Sequence, residues 1–244
     1  MRHVDIAPGL RICNERCAIL QRSEAMVIGD LHLGVEASLE MEGLQLPRAQ
    51  VETMKRMISS AAETYRPKRI VVLGDLKHEF SRNLDQEWRE VRGMIEHLLT
   101  LADVTVVRGN HDNYLANITS RLGVDLVEEL EVDGYHLSHG HLINEGRPLV
   151  QGHEHPSVRL FDGVGGYLKL PAFLHFPEQG VLIMPAFSPL AAGNDVNNLT
   201  SENMLSPGLK GIDLSRAMAY GCSDIGLLRT ALNAEPRKER AKRR

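Results

Sequence analysis

The stretch RIVVLGDLKHEF (residues 69–80) decides how the first half of the chain is read. Its run RIVVL has the β-branched, apolar make-up of a strand buried on both faces. Gly74 and Asp75 end that run and bring a carboxylate to the strand tip. Amphipathic helices stand on either side. Residues 48–65, RAQVETMKRMISSAAETY, put Val51, Met54, Met57, Ile58, Ala61, Ala62 and Tyr65 on one helical face, and Pro67 ends the helix. Residues 85–102, DQEWREVRGMIEHLLTLA, put Trp88, Val91, Ile95, Leu98 and Leu99 on an apolar side. CAILQRSEAMVIGD (17–30) reads as two short strands about the polar turn QRSE, and DVTVVRGN (103–110) as another buried strand. The order strand, helix, strand, helix, strand predicts a sheet with parallel central strands and helices packed on it.

After residue 113 the texture changes. VDLVEELEV, GYHLSH, PLVQGH, SVRLFD, YLKLP and GVLIMP are short, apolar and separated by Gly, Pro or polar turns. This half reads as mostly β. Together the halves predict an α/β protein with two facing sheets, a β-sandwich flanked by helices. Residues 191–208, AAGNDVNNLTSENMLSPG, have the composition of a mobile loop. No linker or internal repeat divides the chain, so residues 1–235 read as one domain.

Of the 244 residues 43% are hydrophobic, enough for one sizeable core. The net charge of −4 advertises no overall attraction for nucleic acid. The charge is uneven, however. The tail RKERAKRR holds six basic residues and one acid of the chain's 28 and 32, so the body carries 22 against 31, or −9. The tail, residues 236–244, reads as a disordered, solvated terminus that could touch a polyanion. Three cysteines, Cys13, Cys17 and Cys222, make no disulfide framework, and C-x3-C without a second pair makes no zinc site. No signal peptide or membrane span is read, and the expected location is cytoplasmic.

The strand tips carry the chemistry. MVIGDLHLG ends in Asp30 and His32, RIVVLGD in Asp75, and DVTVVRGNHDN in Asn110, His111 and Asp112. YHLSHGH ends in His139 and His141, and PLVQGHEHP in His153 and His155. Ligands of α/β sheets bind beyond the carboxyl ends of strands. On an extended segment residues i and i+2 point the same way, so Asp30/His32 and His153/His155 can each aim two donors at one pocket. A lone D-x-H or G-H-x-H is weak, since such a histidine is more often a buried or capping side chain. Five such motifs at five strand ends are hard to explain as packing, because clustered buried polar groups are costly unless satisfied. Asp30, His32, Asp75, Asn110, His139, His153 and His155 are enough donors for two ions sharing one carboxylate.

Through GDLHLG, GDLKH, RGNHD, LSHGH and GHEHP, the chain resembles the calcineurin-like metallophosphoesterases. The resemblance implies a double-sheet sandwich with flanking helices. It also implies Asp30, His32, Asp75 and His155 around one metal and Asp75, Asn110, His139 and His153 around the other, with Asp75 bridging. Mn²⁺ is the expected ion, with Fe or Zn²⁺ as alternatives. A metal-bridging hydroxide would attack the phosphorus, and His111 would protonate the leaving oxygen or stabilise the transition state. His141 is left as a second-shell or substrate-side residue.

In the protein-phosphatase branch an aspartate at the position of His78 orients the catalytic histidine. Here that pairing cannot form, and neighbouring Asp112 is the candidate support for His111. A histidine resembles instead the nuclease branch, the break-repair nucleases and their SbcD relatives, where it handles the nucleic-acid phosphate. The plain alternative is a histidine that only packs and donates to a backbone carbonyl. Lys77 adds positive charge if it faces the same mouth. GHEHPSV and MPAFSPLAAGNDVN are similar to compact SbcD-related phosphoesterases, some of them ligase-associated DNA-repair endonucleases. The resemblance covers roughly residues 5 to 225. No capping domain or ATPase-binding region is recognised, so ATP-gated processing is not expected.

The expected function is a metal-dependent phosphodiester hydrolase, a nuclease on single-stranded or frayed DNA in DNA repair, with RNA as an open alternative. A small-molecule phosphodiesterase or phosphatase is the rival reading, and the acidic body favours it. A retired member serving as an interaction module would have lost ligand residues, and all seven are present. A DNA ligase or helicase partner is implied by the resemblance alone. Aromatic residues are only 5%, too few for a stacking platform. Arg108, Arg147 and Arg159 read as structural or surface residues more readily than as phosphate contacts.

Overall fold

The computed structural model describes residues 1–44, 47–78, 85–162, 164 and 166–232. The basic tail expected at 236–244 lies outside the described residues. One sheet has seven strands lying in chain order: β1 (His3–Ala7), β2 (Leu10–Cys13), β3 (Cys17–Leu20), β4 (Ala25–Ile28), β5 (Arg69–Leu73), β6 (Asp103–Val107) and β7 (Asp125–Val127). Strands β1 to β4 are joined by tight turns and are antiparallel, whereas β4 to β7 are parallel. The change follows from the connections, since parallel neighbours need a crossover long enough to return the chain. Helices α1 (Val35–Met41) and α2 (Gln50–Tyr65) make the first crossover, α3 (Asp85–Leu99) the second and α4 (Ala116–Leu122) the third. The alternating order predicted from sequence is this part of the fold; β1, β2, α1 and α4 are additions to it.

The central strands are apolar throughout because both faces are covered. Met26, Ile28, Ile70, Val72, Val104 and Val106 pack against the helices through Met54, Ile58, Val91, Met94, Ile95 and Leu98. The alternate residues Ala25, Val27, Val71, Leu73 and Val107 face the second sheet and meet Leu137, Val150, Phe173, Leu182 and Met184. One expected core residue differs. Leu99 ends α3 and is 40% exposed, while Met94 is fully buried in its place. The row 87, 91, 94, 98 runs along the buried side of α3 and leaves Leu99 to solvent.

The second sheet runs in the order β14 (Asn194–Asp195), β11 (Pro156–Phe161), β12 (Tyr167–Phe176), β13 (Val181–Ile183), β10 (Leu149–Gln151), β9 (Tyr135–Ser138), β8 (Glu129–Val132). The hairpin β15 (Met218–Ser223) and β16 (Gly226–Ala231) adds to it through β12. Strands β9, β10 and β13 are parallel. The outer face of this sheet is covered by the stretch read as a mobile loop. That stretch is packed: its Val196 and Met204 are buried against Val158, Leu174 and Ile183. Among the described residues no helix is long and apolar enough to cross a membrane.

The carboxyl ends of the parallel strands of both sheets meet on one side of the sandwich. From β4, β5 and β6 the chain passes to Asp30, Asp75 and Asn110, and from β9 and β10 to His139 and His153. The fold therefore gathers the five polar motifs at one place.

Candidate metal centre

The loop leaving β4 does not run extended. Asp30, His32, Asp75, His153 and His155 all have positive φ, between 44° and 70°. The expectation that i and i+2 donors converge on extended backbone is thus corrected. Leu31, between Asp30 and His32, is fully buried, and left-handed residues on either side of it turn both donors to the same pocket. Such conformations cost of order 1–3 kcal/mol each and persist only where the surroundings hold them. Main-chain hydrogen bonds do so here. Asp30 N donates to Gly74 O, His32 N to Asp75 O and Leu33 N to Leu76 O, at 2.9–3.1 Å, extending the pairing of the two loops past the ends of β4 and β5.

Two donor clusters result. Asp30, His32, Asp75 and His155 each offer an atom within 4.8 Å of the others, and so do Asp75, His139 and His153. Asp75 belongs to both. His32 Nε2 lies 3.1 Å from His155 Nε2, and His155 Nε2 lies 3.3 Å from Asp30 Oδ1. In the second cluster His139 Nε2 is 3.4 Å from Asp75 Oδ2, 3.1 Å from His153 Nδ1 and 3.0 Å from Asn110 Oδ1. The i, i+2 histidines therefore split, His155 to one cluster and His153 to the other. His141 lies outside both, its ring 5.3 Å from that of His139.

Protonation follows from this crowding. Burial alone would raise the Asp75 carboxyl, but the hydrogen bond and charge of His139, with His111, hold it well below the usual carboxylate range. Burial would also raise Asp30, and His155 and His139 outweigh it. Burial opposes the charged form of His139, yet its bond to Asp75 and the two carboxylates raise it to about 9. Burial pushes His32 and His153 down to about 4, so both are neutral at pH 7 with nitrogen lone pairs to offer. His139 Nδ1 donates to Leu73 O at 2.9 Å, which fixes the tautomer leaving Nε2 as donor to an ion. Carboxylate oxygens and imidazole nitrogens gathered within 4.8 Å of one another fit a divalent metal ion in each cluster.

Several residues brace the site. Glycines let the loops close: a Cβ at Gly109 would fall on Asp75, and one at Gly152 on Asp30 Oδ2. Gln50, at the start of α2, donates to Leu31 O, His32 O and Ser188 Oγ. Glu36 accepts from Ala49 N and Gln50 N. Glu154, between the two histidines of GHEHP, accepts from Leu205 N and Ser206 N. Sequence reasoning missed these three. Glu154 alone carried a visible signal, a buried acid flanked by two metal-type histidines.

The expectation for Asp112 is corrected. Its buried carboxylate accepts from Gly109 N at 2.8 Å, Leu76 N at 2.9 Å and Lys77 N at 3.3 Å, so it ties the β5 and β6 loops together. His111 Nδ1 is held instead by the main-chain carbonyl of His78, at 2.6 Å. Burial and the charge of Asp75 push Asp112 up to about 6. Lys77 is also corrected. It is buried, with Nζ 3.4 Å from Glu87 Oε2 under α3, and so is not at the mouth. The imidazoles of His78 and His111 are. They lie parallel, centroids 6.2 Å apart, each about 5.5 Å from the ring of His32. Arg108 pairs with Glu128 and Arg159 with Asp195, and Arg147 donates to Asn144 O and Gly146 O, as structural or surface arginines would.

A family model for the calcineurin-like phosphoesterase matches residues 25–199, which contain every one of these donors. The chain belongs to the calcineurin-like phosphoesterase family. It is accordingly a metal-dependent phosphoester hydrolase, and divalent ions are the family's cofactor. No curated protein sequence matches the chain. Among solved structures, nuclease MPE from Pseudomonas putida aligns over 93% of this chain and 98% of its own, with a TM-score of 0.68 and 19% identity. Yfce, a phosphoesterase from E. coli, aligns over 86% of this chain and 99% of its own, with a TM-score of 0.44 and 17% identity. At these identities the likeness to MPE is one of fold.

Proposed function

We propose that the chain is a dinuclear phosphodiesterase that cleaves nucleic acid, DNA first, in DNA repair. Asp30, His32, Asp75 and His155 hold one ion, and Asp75, Asn110, His139 and His153 hold the other. Mn²⁺ is the expected metal. Two divalent ions bound there supply positive charge against phosphoryl oxygens and lower the pKa of an attacking water.

The observation that carries the reading is the imidazole pair at the mouth. His111 has its Nδ1 held by the His78 carbonyl and its Nε2 3.9 Å from Asp75 Oδ2, on the side of the metal cluster, where it would hold and release a proton at the leaving oxygen. The His78 ring stands parallel to it. An imidazole there can donate to a phosphodiester oxygen, where a carboxylate would repel it. The fold likeness to the nuclease from Pseudomonas putida supports the same substrate class.

The test is cleavage of a labelled single-stranded oligonucleotide with Mn²⁺, beside hydrolysis of a small aryl phosphodiester. The wild type is expected to cut both and Asp75→Ala neither. His78→Ala should lose more on the oligonucleotide than on the aryl diester. Hydrolysis of the small diester alone would leave a phosphodiesterase and remove the nuclease.

A further inference from the structure

A second cavity, of about 230 Å³, adjoins the metal centre. Its walls include Arg16, Ser157, Lys169, Pro189 and Ala191, and it shares His155 with the first donor cluster. One imidazole thus separates the two. Among the described residues, no acidic one lines this cavity.

The two cations are fixed by neutral acceptors. Arg16 Nη1 donates to the carbonyls of Phe187 and Ser188, at 3.3 and 3.1 Å. Lys169 Nζ donates to Gly193 O at 2.8 Å. Carbonyls orient these groups without cancelling their charge, and among the described residues neither cation forms an ion pair with a carboxylate. Burial pulls the Arg16 guanidinium below its ordinary value, with no carboxylate to offset it. A half-buried guanidinium and an ammonium in one cavity, in a body of net negative charge, make a site that an anion completes.

We infer that this cavity binds a phosphate group neighbouring the scissile one, so that the substrate bears two phosphates one nucleotide apart. The inference rests on the nuclease reading for the nature of its ligand. Arg16 and Lys169 would then set the register of the strand across the metals. A small aryl diester, which has one phosphate, would not use the cavity.

The probe is thymidine 3′,5′-bisphosphate, compared with thymidine 3′- and 5′-monophosphates by calorimetry on the Mn²⁺-loaded protein. The bisphosphate should bind at least about tenfold more tightly than either monophosphate. Lys169→Gln should remove most of that gain, and Arg16→Gln should do the same if it folds; Lys169 is the safer variant because Arg16 also ties down the 187–188 carbonyls. A bisphosphate that binds no better than the monophosphates, or a gain that survives Lys169→Gln, overturns the inference. Failure of the oligonucleotide assay with the gain intact would instead remove the nuclease reading and leave the phosphate cavity standing.

Discussion

His111 Nδ1 donates to the main-chain carbonyl of His78 at 2.6 Å, so the backbone of His78 orients the His111 ring. We propose separate tasks for the side chain and the backbone of His78. The carbonyl fixes the His111 ring, and the imidazole stands at the mouth beside it.

Substitutions should separate these tasks. His111→Ala is expected to lower kcat by about 10²–10⁴-fold on every diester, the usual worth of a positioned acid. His78→Ala keeps the carbonyl, so its loss should be smaller and weighted toward oligonucleotide substrates. Equal losses for both variants on both substrates would contradict the division.

Asp112→Asn should loosen the pairing of two site loops. The carboxylate accepts three main-chain N–H groups, and an amide puts a donor against at least one of them. A cost of about 2–4 kcal/mol is expected from the lost and mismatched bonds, read as a lower Tm, together with weaker metal binding.

Lys77→Met should act on stability. The Lys77–Glu87 pair is buried, and removing one partner leaves a charge in the interior, typically costing about 3–5 kcal/mol. The preference between oligonucleotide and aryl diester should be unaltered. A selective loss on the oligonucleotide would return Lys77 to the substrate.

Metal binding should release protons. His139 is raised to about 9 in the metal-free site, so at pH 7.5 it is protonated and must lose that proton to ligate an ion. Its contribution to metal-free stability is complete below about pH 6.5, the ordinary histidine value, and is lost as pH rises through about 9. Calorimetry in buffers of different ionisation enthalpy should find at least one proton released at pH 7.5, falling off above pH 9. No buffer dependence at pH 7.5 would contradict the assignment.

What the sequence disclosed has a physical pattern. RIVVL and DVTVV are legible because burial on both faces demands continuous apolar runs. The donors are legible because Asp, Asn and His stand where such runs stop. Backbone handedness is not legible: nothing local to GDLHL announces positive φ at Asp30 and His32, which loop-to-loop hydrogen bonds impose. The direction of Lys77 is hidden for a similar reason, since its partner Glu87 sits ten residues on in another element. In the hairpin MAYGCSDIGLLRTA the turn signal is weak, since Ser223-Asp224-Ile225-Gly226 places an apolar residue at the turn. Gly226 there has φ 115°, open to glycine alone at little cost.

The central claim is that Asp75 serves two ions at once. Mn²⁺ titration of metal-free protein, with bound metal counted, tests it most directly. Two ions per wild-type chain are expected, one for His153→Ala, and loss of tight binding of both for Asp75→Ala. A wild type that saturates at one ion, or an Asp75→Ala variant that keeps one tight site, would contradict it.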